Sequence, residues 1–350
     1  MKKTLLSALV AVLGFATQAT AQSSITATLI HDNDIKTFYG ASALREAHAA
    51  ATHGDVITLS SGRFTSTNIY KAITLRGAGM EYDSVSVTEP TIISGSFNIS
   101  VASDSTTSNH SFRMEAIYHK NIITVYGELT NPQFVKCRLS TIKNIDSNAI
   151  GLVNAQFIHC AIVSYLYIHN GSAALYNCFV EDPRYHTSGN TSVTQSTGTY
   201  EFQNCVIKTS QANYIERSIL RNSIIHGTAT TQGSSCNELP SSAYAYNCVG
   251  TAYNTFANQI TKTNRIASIT NLFKTWTGNQ LNGTITGALE LTEEAKTKYL
   301  GSDGTEVGIY GGSLPFEART SNPQITKLNV ASKSTADGKL SVDIEVKAAE

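Results

Sequence analysis

The chain has 350 residues, and its 26 basic and 26 acidic side chains make up 15% of it. This even and sparse charge gives no support for a nucleic-acid partner, which requires a clustered basic surface. Ser, Thr, Asn and Gly replace the charged residues of an average protein. Such a composition is typical of a secreted β protein whose partners are polar and largely uncharged.

The first 21 residues are predicted to be an export signal. Lys2 and Lys3 precede an apolar run over 5–15, and Ala19-Thr20-Ala21 has the small residues of a cleavage site. The run is too short to span a membrane, and no later apolar stretch is long enough. We therefore expect an exported, periplasmic, cell-surface or extracellular protein. Its mature part, from Gln22, holds 24 basic and 26 acidic residues.

The mature chain begins with one predicted helix and continues in short strands. Ala43, Leu44 and Ala47 share one face of a helix predicted over 41–52. Strand-like segments then alternate with Gly, Ser and Asn turns, with almost no helix between them. The pattern predicts an all-β chain.

A four-residue phrase recurs through residues 132–250. Its copies lie 18 to 27 residues apart, which is the spacing of coils that stack into a solenoid. We therefore predict a right-handed parallel β-helix, since parallel crossovers are almost always right-handed. The phrases end at Cys137, Cys160, Cys178, Cys205, Ser223 and Cys248.

These end positions predict a structural ladder of reduced thiols in the core. Equivalent residues of neighbouring coils lie about 4.8 Å apart and point the same way, which suits disulfide geometry poorly. Ser223 in the same register indicates that a small side chain suffices there. Cys236 lies off the ladder and is the predicted free thiol. The asparagines before the ladder are predicted to form left-handed corners, with ligand contact as the alternative; they are Asn177, Asn204, Asn222 and Asn247.

The ladder fades beyond Val249, and the last part of the chain has a different pattern. Residues 301–312 are predicted to form a final coil. Segments 325–330 and 340–346 alternate strictly between apolar and polar residues, which predicts a hairpin.

Three regions follow from these patterns. Residues 1–21 form the signal, 22–316 the β-helix, and 317–350 the hairpin. A solenoid exposes apolar ends that need caps. Helix 41–52 is predicted to cap one end, and the hairpin either caps the other end or attaches the protein to a surface.

Two stretches of the sequence resemble known β-helix proteins. The first resembles the opening of pectin-lyase-like proteins, and residues 303–312 resemble the ending of secreted β-helix proteins of Bacteroidetes-type bacteria. The resemblance implies the fold for most of the mature chain. It implies little about activity, because that superfamily includes lyases, hydrolases, esterases and adhesins. The opening stretch includes Gly54-Asp55-Val56-Ile57-Thr58-Leu59 and Ile73-Thr74-Leu75-Arg76-Gly77-Ala78-Gly79.

No recognisable catalytic site emerges, and the catalytic residues stay unassigned. The clustered carboxylates of glycoside hydrolases are missing. Glu181 and Asp182 are adjacent, but neighbours in a strand point to opposite faces. Histidine and cysteine spacings predict no metal site and no cofactor, with Ca²⁺ expected only if the protein is a lyase.

The densest polar cluster predicts a glycan-contact groove across neighbouring coils. Aromatic rings can stack on sugar faces, and arginine with histidine can meet a carboxylate. An ordinary solvated loop is the alternative. The candidate residues are Tyr165, Tyr167, His169, Glu181, Asp182, Arg184, Tyr185 and His186.

The leading hypothesis is an exported monomer that binds polysaccharide or a cell-surface glycan. Two alternatives stay open, namely a polysaccharide lyase or glycoside hydrolase with an atypical site, and a purely structural surface protein or adhesin. No nucleic acid and no membrane span are expected.

Overall fold

A computed structural model describes residues 25–82, 89–101, 110–144, 150–168, 170–184, 198–210, 215, 217–227, 243–251, 263–281, 283–319, 324–331, 333–335 and 337–347. Two large sheets, mainly of parallel strands, form the body of the molecule. This confirms the predicted all-β, parallel solenoid. The predicted export signal and Cys236 lie outside the described residues.

The first large sheet, called sheet A, has eleven strands. β1 pairs antiparallel with β2 and β3, and the later pairs are all parallel. In spatial order the strands are β2 (Asp34–Tyr39), β1 (Thr26–His31), β3 (Val56–Leu59), β5 (Thr74–Arg76), β8 (Arg113–Glu115), β11 (Gln133–Val135), β14 (Ala155–Ile158), β16 (Ser172–Tyr176), β19 (Thr199–Gln203), β21 (Ile219–Arg221) and β23 (Tyr244–Tyr246).

The second large sheet, called sheet B, is parallel throughout. Its main order is β25 (Arg265–Ile266), β24 (Val249–Gly250), β22 (Ile224–Gly227), β20 (Val206–Thr209), β17 (Phe179–Glu181), β15 (Ala161–Tyr167), β12 (Arg138–Asn144), β9 (Ile117–Val125), β6 (Thr91–Ser94) and β4 (Gly62–Thr65). β7 (Phe97–Ile99) also pairs with β9, and β18 (Pro183–Arg184) with β15.

The remaining elements are short. β10 (Leu129–Thr130) pairs with β13 (Leu152–Val153) in a small parallel sheet. The helices are α1 (Ala43–Ala50), α2 (Ile269–Leu272) and α3 (Glu293–Lys298). In the part of the chain that the structure describes, none of the helices is long and apolar enough to cross a membrane.

The core is built by side chains that repeat at one register from coil to coil. Phe134 faces Phe157 across β11 and β14, and their rings stack with centroids 4.8 Å apart and planes 6° from parallel. The same column continues through Leu175, Phe202 and Leu220, all fully buried. Parallel pairing thus converts a sequence repeat into a continuous apolar column.

From β8 onward, the chain turns from sheet A into sheet B through one residue in the left-handed backbone region. Asn177, Asn204, Asn222 and Asn247 have φ between 50° and 53° there. Asparagine tolerates this conformation better than most residues. The residue after each corner begins the sheet B part of the coil, so the corner fixes the direction of both strands.

The backbone N–H after a corner donates to the equivalent side chain of the next coil. Cys160 N donates to Cys178 Sγ at 3.3 Å, and Cys205 N donates to Ser223 Oγ at 3.0 Å. Cys248 N donates to Asn264 Oδ1 at 3.0 Å. The position therefore favours a small side chain with an acceptor atom, whether sulfur, hydroxyl or amide oxygen.

The described cysteines are free and fully buried. Burial raises the pKa of the Cys137 and Cys178 thiols, and it raises the pKa of Cys248 to about 12. A buried thiol of this kind stays protonated and inert, because the thiolate is the reactive species.

We predict that the five thiols react only after unfolding. A Cys236→Ser variant removes the sixth cysteine, so that alkylation reports Cys137, Cys160, Cys178, Cys205 and Cys248 alone. Mass spectrometry should find none of them alkylated in the native protein and all five alkylated in denaturant. Rapid labelling of any of them under native conditions would contradict the buried arrangement.

A C-terminal arm, defined as residues 267–318, lies against the outward side of sheet B. The residue that follows the ladder position in several coils points outward, as Phe179, Val206 and Ile224 do. Arm residues such as Trp276 and Val307 bury them in a second apolar cluster. This cluster is separate from the interior between the sheets.

The predicted final coil over 301–312 is wrong, since no strand forms there. The arm instead runs back along the corners of earlier coils. Gly308 N donates to Asn222 O at 2.9 Å, and Leu314 O lies 3.1 Å from His159 Nε2. The close approach requires glycine, because a Cβ on Gly312 would lie 2.0 Å from Asn204 Nδ2. The apolar residues of this segment serve lateral packing and not coil stacking.

Asn177 joins the corner to the arm. Its Nδ2 donates to Ile309 O at 2.9 Å and to Gly311 O at 2.7 Å, and all three groups are buried. The amide therefore satisfies two carbonyls that water cannot reach.

We predict that Asn177→Ala lowers the free energy of unfolding by about 2 to 4 kcal/mol, since it loses the two hydrogen bonds and strains the left-handed corner. Asn177→Gly loses the same bonds but accepts the positive φ, so its loss should be smaller. Urea denaturation measures both. If Asn177→Gly has the same free energy of unfolding as the native protein, the hydrogen bonds to the arm contribute nothing to stability.

The last two strands form the predicted hairpin. β26 (Gln324–Val330) and β27 (Val342–Lys347) pair antiparallel, and Val330 faces Val342.

Helix α1 is shorter than the predicted span 41–52. Whether the hairpin caps the solenoid or attaches it stays a prediction.

Candidate functional site

The described residues of the predicted groove lie around the ends of β15, β17 and β18. Tyr167 is the strand partner of Arg184. The Arg184 guanidinium carbon lies 4.0 Å from the centre of the Tyr165 ring and 5.8 Å from that of Tyr167. The two tyrosine rings have centroids 5.7 Å apart. Parallel stacking thus brings together side chains from two successive coils.

Asp182 holds Arg184 in this position. Its φ of 42° interrupts the strand between β17 and β18, so that the next residues turn toward β15. Its buried carboxylate accepts from Arg184 Nη2 at 3.0 Å, and from Ser210 N at 2.6 Å and Ser210 Oγ at 2.9 Å. We call Tyr165, Tyr167, Asp182 and Arg184 the tyrosine–arginine cluster.

Glu181 points to a different partner. It lies opposite Lys208 in the register, and the Glu181 Oε1 to Lys208 Nζ distance is 2.7 Å. The two side chains are only 17% and 12% exposed. An ion pair so well covered holds both groups in fixed positions, since breaking it would leave a buried charge unpaired.

His226 continues this outward column beside Lys208. Its Nδ1 lies 2.6 Å from Thr251 Oγ1, and its ring meets Trp276 edge to face at 5.3 Å. Burial, and then the charge of Lys208, lower the pKa of His226 to about 4. The ring is therefore neutral near pH 7 and cannot add positive charge to the site.

Sequence reasoning missed Lys208, Ser210 and His226. The ladder could have found two of them, because Glu181, Lys208 and His226 each stand three residues after a ladder position. Strand alternation puts that offset on the outward face of sheet B. Ser210 had no such signal, since its contact depends on the turn at Asp182.

Three predicted groove residues receive no structural test. His169, Tyr185 and His186 lie outside the described residues. Among the residues that the structure describes, no group of three or more His, Cys, Asp or Glu side chains is placed to hold a metal ion.

The two carboxylates of the described groove both take part in ion pairs. Both carboxylates engage cationic partners, Glu181 with Lys208 and Asp182 with Arg184. Burial raises the pKa of Tyr167, which keeps its hydroxyl protonated. The second carboxylate oxygen of Glu181, Oε2, is buried and has no hydrogen-bond partner among the described residues.

Comparison with known proteins adds no assignment. No protein-family model matches the chain, and no curated protein or solved structure is significantly similar to it.

The buried histidines predict a pH dependence of stability. Burial lowers the pKa of His226 to about 4, whereas an unfolded histidine titrates near 6.5. The unfolded chain therefore binds more protons between these values, and the free energy of unfolding should fall as the pH falls from about 6.5 to 4. We expect roughly 3 kcal/mol of this loss to come from His226.

Urea denaturation at several pH values measures this loss. A His226→Gln variant, whose amide can still bond Thr251, should lose less stability across the same window. If the free energy of unfolding falls by the same amount in the variant and the native protein across this pH range, the assignment to His226 is contradicted.

Proposed function

We propose that this protein is an exported, right-handed parallel β-helix of the pectin-lyase-like kind, of the Bacteroidetes type, that binds polysaccharide or a cell-surface glycan. Helix α1 closes the first end of the solenoid. The parallel sheets and the resemblance of the opening segments support this assignment. The sparse charge of the chain, 15% of its residues, fits a partner recognised by hydrogen bonds and ring stacking.

The observation that carries the proposal is the stacking of Arg184 on Tyr165. The guanidinium is held from behind by Asp182 and lies 4.0 Å from the ring centre. A planar donor fork fixed beside aromatic rings can donate to sugar hydroxyls while a ring meets the apolar face of the sugar. Its geometry is preorganised, so that little side-chain entropy is lost on binding.

The exposure of these residues agrees with a shallow contact site. Tyr165 and Arg184 are partly exposed, whereas Tyr167 and Asp182 are buried and support them. Buried residues that position exposed ones are typical of built sites. Binding without catalysis is favoured over the lyase and hydrolase alternatives, because both carboxylates here are already committed to cations.

We predict that Arg184→Ala and Tyr165→Ala each weaken polysaccharide binding about tenfold, as expected when a central contact is truncated. Affinity electrophoresis in a panel of neutral and acidic polysaccharides measures the change. The matched control is Arg63→Ala, an exposed arginine on β4, several coils away.

Equal retardation of Arg184→Ala and the native protein in every gel would contradict the proposed site. The same samples should be assayed for new reducing or unsaturated ends. Their appearance would favour the hydrolase or lyase alternative over a binding protein.

A further inference from the structure

The outward face of sheet A presents a second set of aromatic and planar polar side chains. In the register, Tyr176 faces Gln203, Gln203 faces Arg221, and Arg221 faces Tyr246. The residues between them point into the core, so this column points outward. A neighbouring column contains Glu201 and Tyr244. We call these six residues the sheet A platform: Tyr176, Glu201, Gln203, Arg221, Tyr244 and Tyr246.

The tyrosines of the platform are well exposed. Tyr244 is 50% accessible, Tyr246 39% and Tyr176 36%. In sheet B the corresponding outward positions are buried beneath the C-terminal arm. The arm therefore leaves the face of sheet A as the accessible sheet surface in these coils. Aromatic rings exposed on regular strands form a rigid platform, because the strands fix their spacing.

The polar groups of the platform neutralise one another. Arg221 Nη1 donates to Glu201 Oε1 at 2.6 Å, and its guanidinium carbon lies 6.0 Å from the centre of the Tyr246 ring. Gln203 adds an uncharged amide. The platform therefore has no net charge, which complements an uncharged ligand and offers no attraction to a polyanion.

The polar stripe continues along the solenoid axis. Gln156 and Gln133 occupy the same outward register as Glu201, two and three coils earlier, and Gln133 Nε2 donates to Gln156 Oε1 at 3.2 Å. Equivalent positions recur at each coil, about 4.8 Å apart, and the apolar Ala174 and Ile219 occupy two of them. A periodic surface of this kind matches a linear polymer whose units also repeat.

We propose that the sheet A platform binds an uncharged linear polysaccharide that lies along the solenoid axis. This inference rests on the proposed function for the glycan nature of the ligand, but it assigns a different face of the molecule. Tyr244 and Tyr246 stack on sugar rings, while Gln203, Glu201 and Arg221 bond the hydroxyl groups.

The test is a Tyr244→Ala, Tyr246→Ala double variant. Both side chains are exposed, so the variant should keep the thermal stability of the native protein. The control is Tyr39→Ala with Tyr82→Ala, which removes two exposed tyrosines outside the platform. Binding to soluble xylan, mannan and mixed-linkage glucan is measured by affinity electrophoresis at low and high salt.

We expect the double variant to lose at least tenfold in affinity for one of these uncharged polysaccharides, at both salt concentrations. The Tyr39→Ala, Tyr82→Ala control should lose little affinity for that same ligand. Salt should matter little because no charge on the ligand is screened.

Other outcomes overturn the inference in distinguishable ways. If only Arg184→Ala weakens binding, the tyrosine–arginine cluster stands and the platform fails. If the native protein binds acidic polysaccharides alone, the platform fails and the proposed function stands. If it binds no polysaccharide, both fail. If sedimentation shows a native dimer that the double variant dissociates, the platform is a self-association surface.

Discussion

The left-handed corner between the two large sheets is the constraint on which the structure depends. At several corners a backbone N–H donates to the equivalent side chain of the next coil, as Cys160 N does to Cys178 Sγ at 3.3 Å. That bond, together with the strand pairing on both sides, leaves little freedom of register. A slip by one residue would exchange the core and outward faces of every strand, so the register decides what the whole surface presents.

Because the corner fixes the register, the number of residues from the ladder position determines the environment of each side chain. The first residue after the ladder position lies beneath the C-terminal arm, the second enters the interior, and the third forms the outward column with Glu181 and Lys208. The asparagine at the corner has two structural roles. It accepts the positive φ, and Asn177 also satisfies carbonyls of the arm. The corner therefore determines both the stacking of the coils and the path of the chain that returns along them.

Sequence reasoning succeeded where the cause is local and repeated. The spacing of the phrases predicts the parallel stack, and β26 and β27 pair as their alternating pattern predicts. It failed over 301–312, because the apolar residues there pack sideways against Val206 and Ile224, which are about 100 residues away in sequence. Nothing in the local pattern separates lateral packing from coil stacking. Only part of the site could be predicted from the sequence. The ladder spacing places Lys208 and His226 on the outward face, but the positive φ of Asp182 interrupts the strand alternation, so the position of Arg184 could not be predicted.

The C-terminal arm also explains why the two large sheets offer different surfaces. A strand in the middle of a stack has one face in the interior and one face outward, and an apolar outward face must be covered. On sheet B the outward column of Phe179, Val206 and Ile224 is apolar, and the arm covers it. On sheet A the outward positions of β16, β19, β21 and β23 include Ala174 and Ile219 but are mostly glutamine, glutamate, arginine and tyrosine. The distribution of apolar and polar residues between the two outward faces therefore decides which sheet receives the arm.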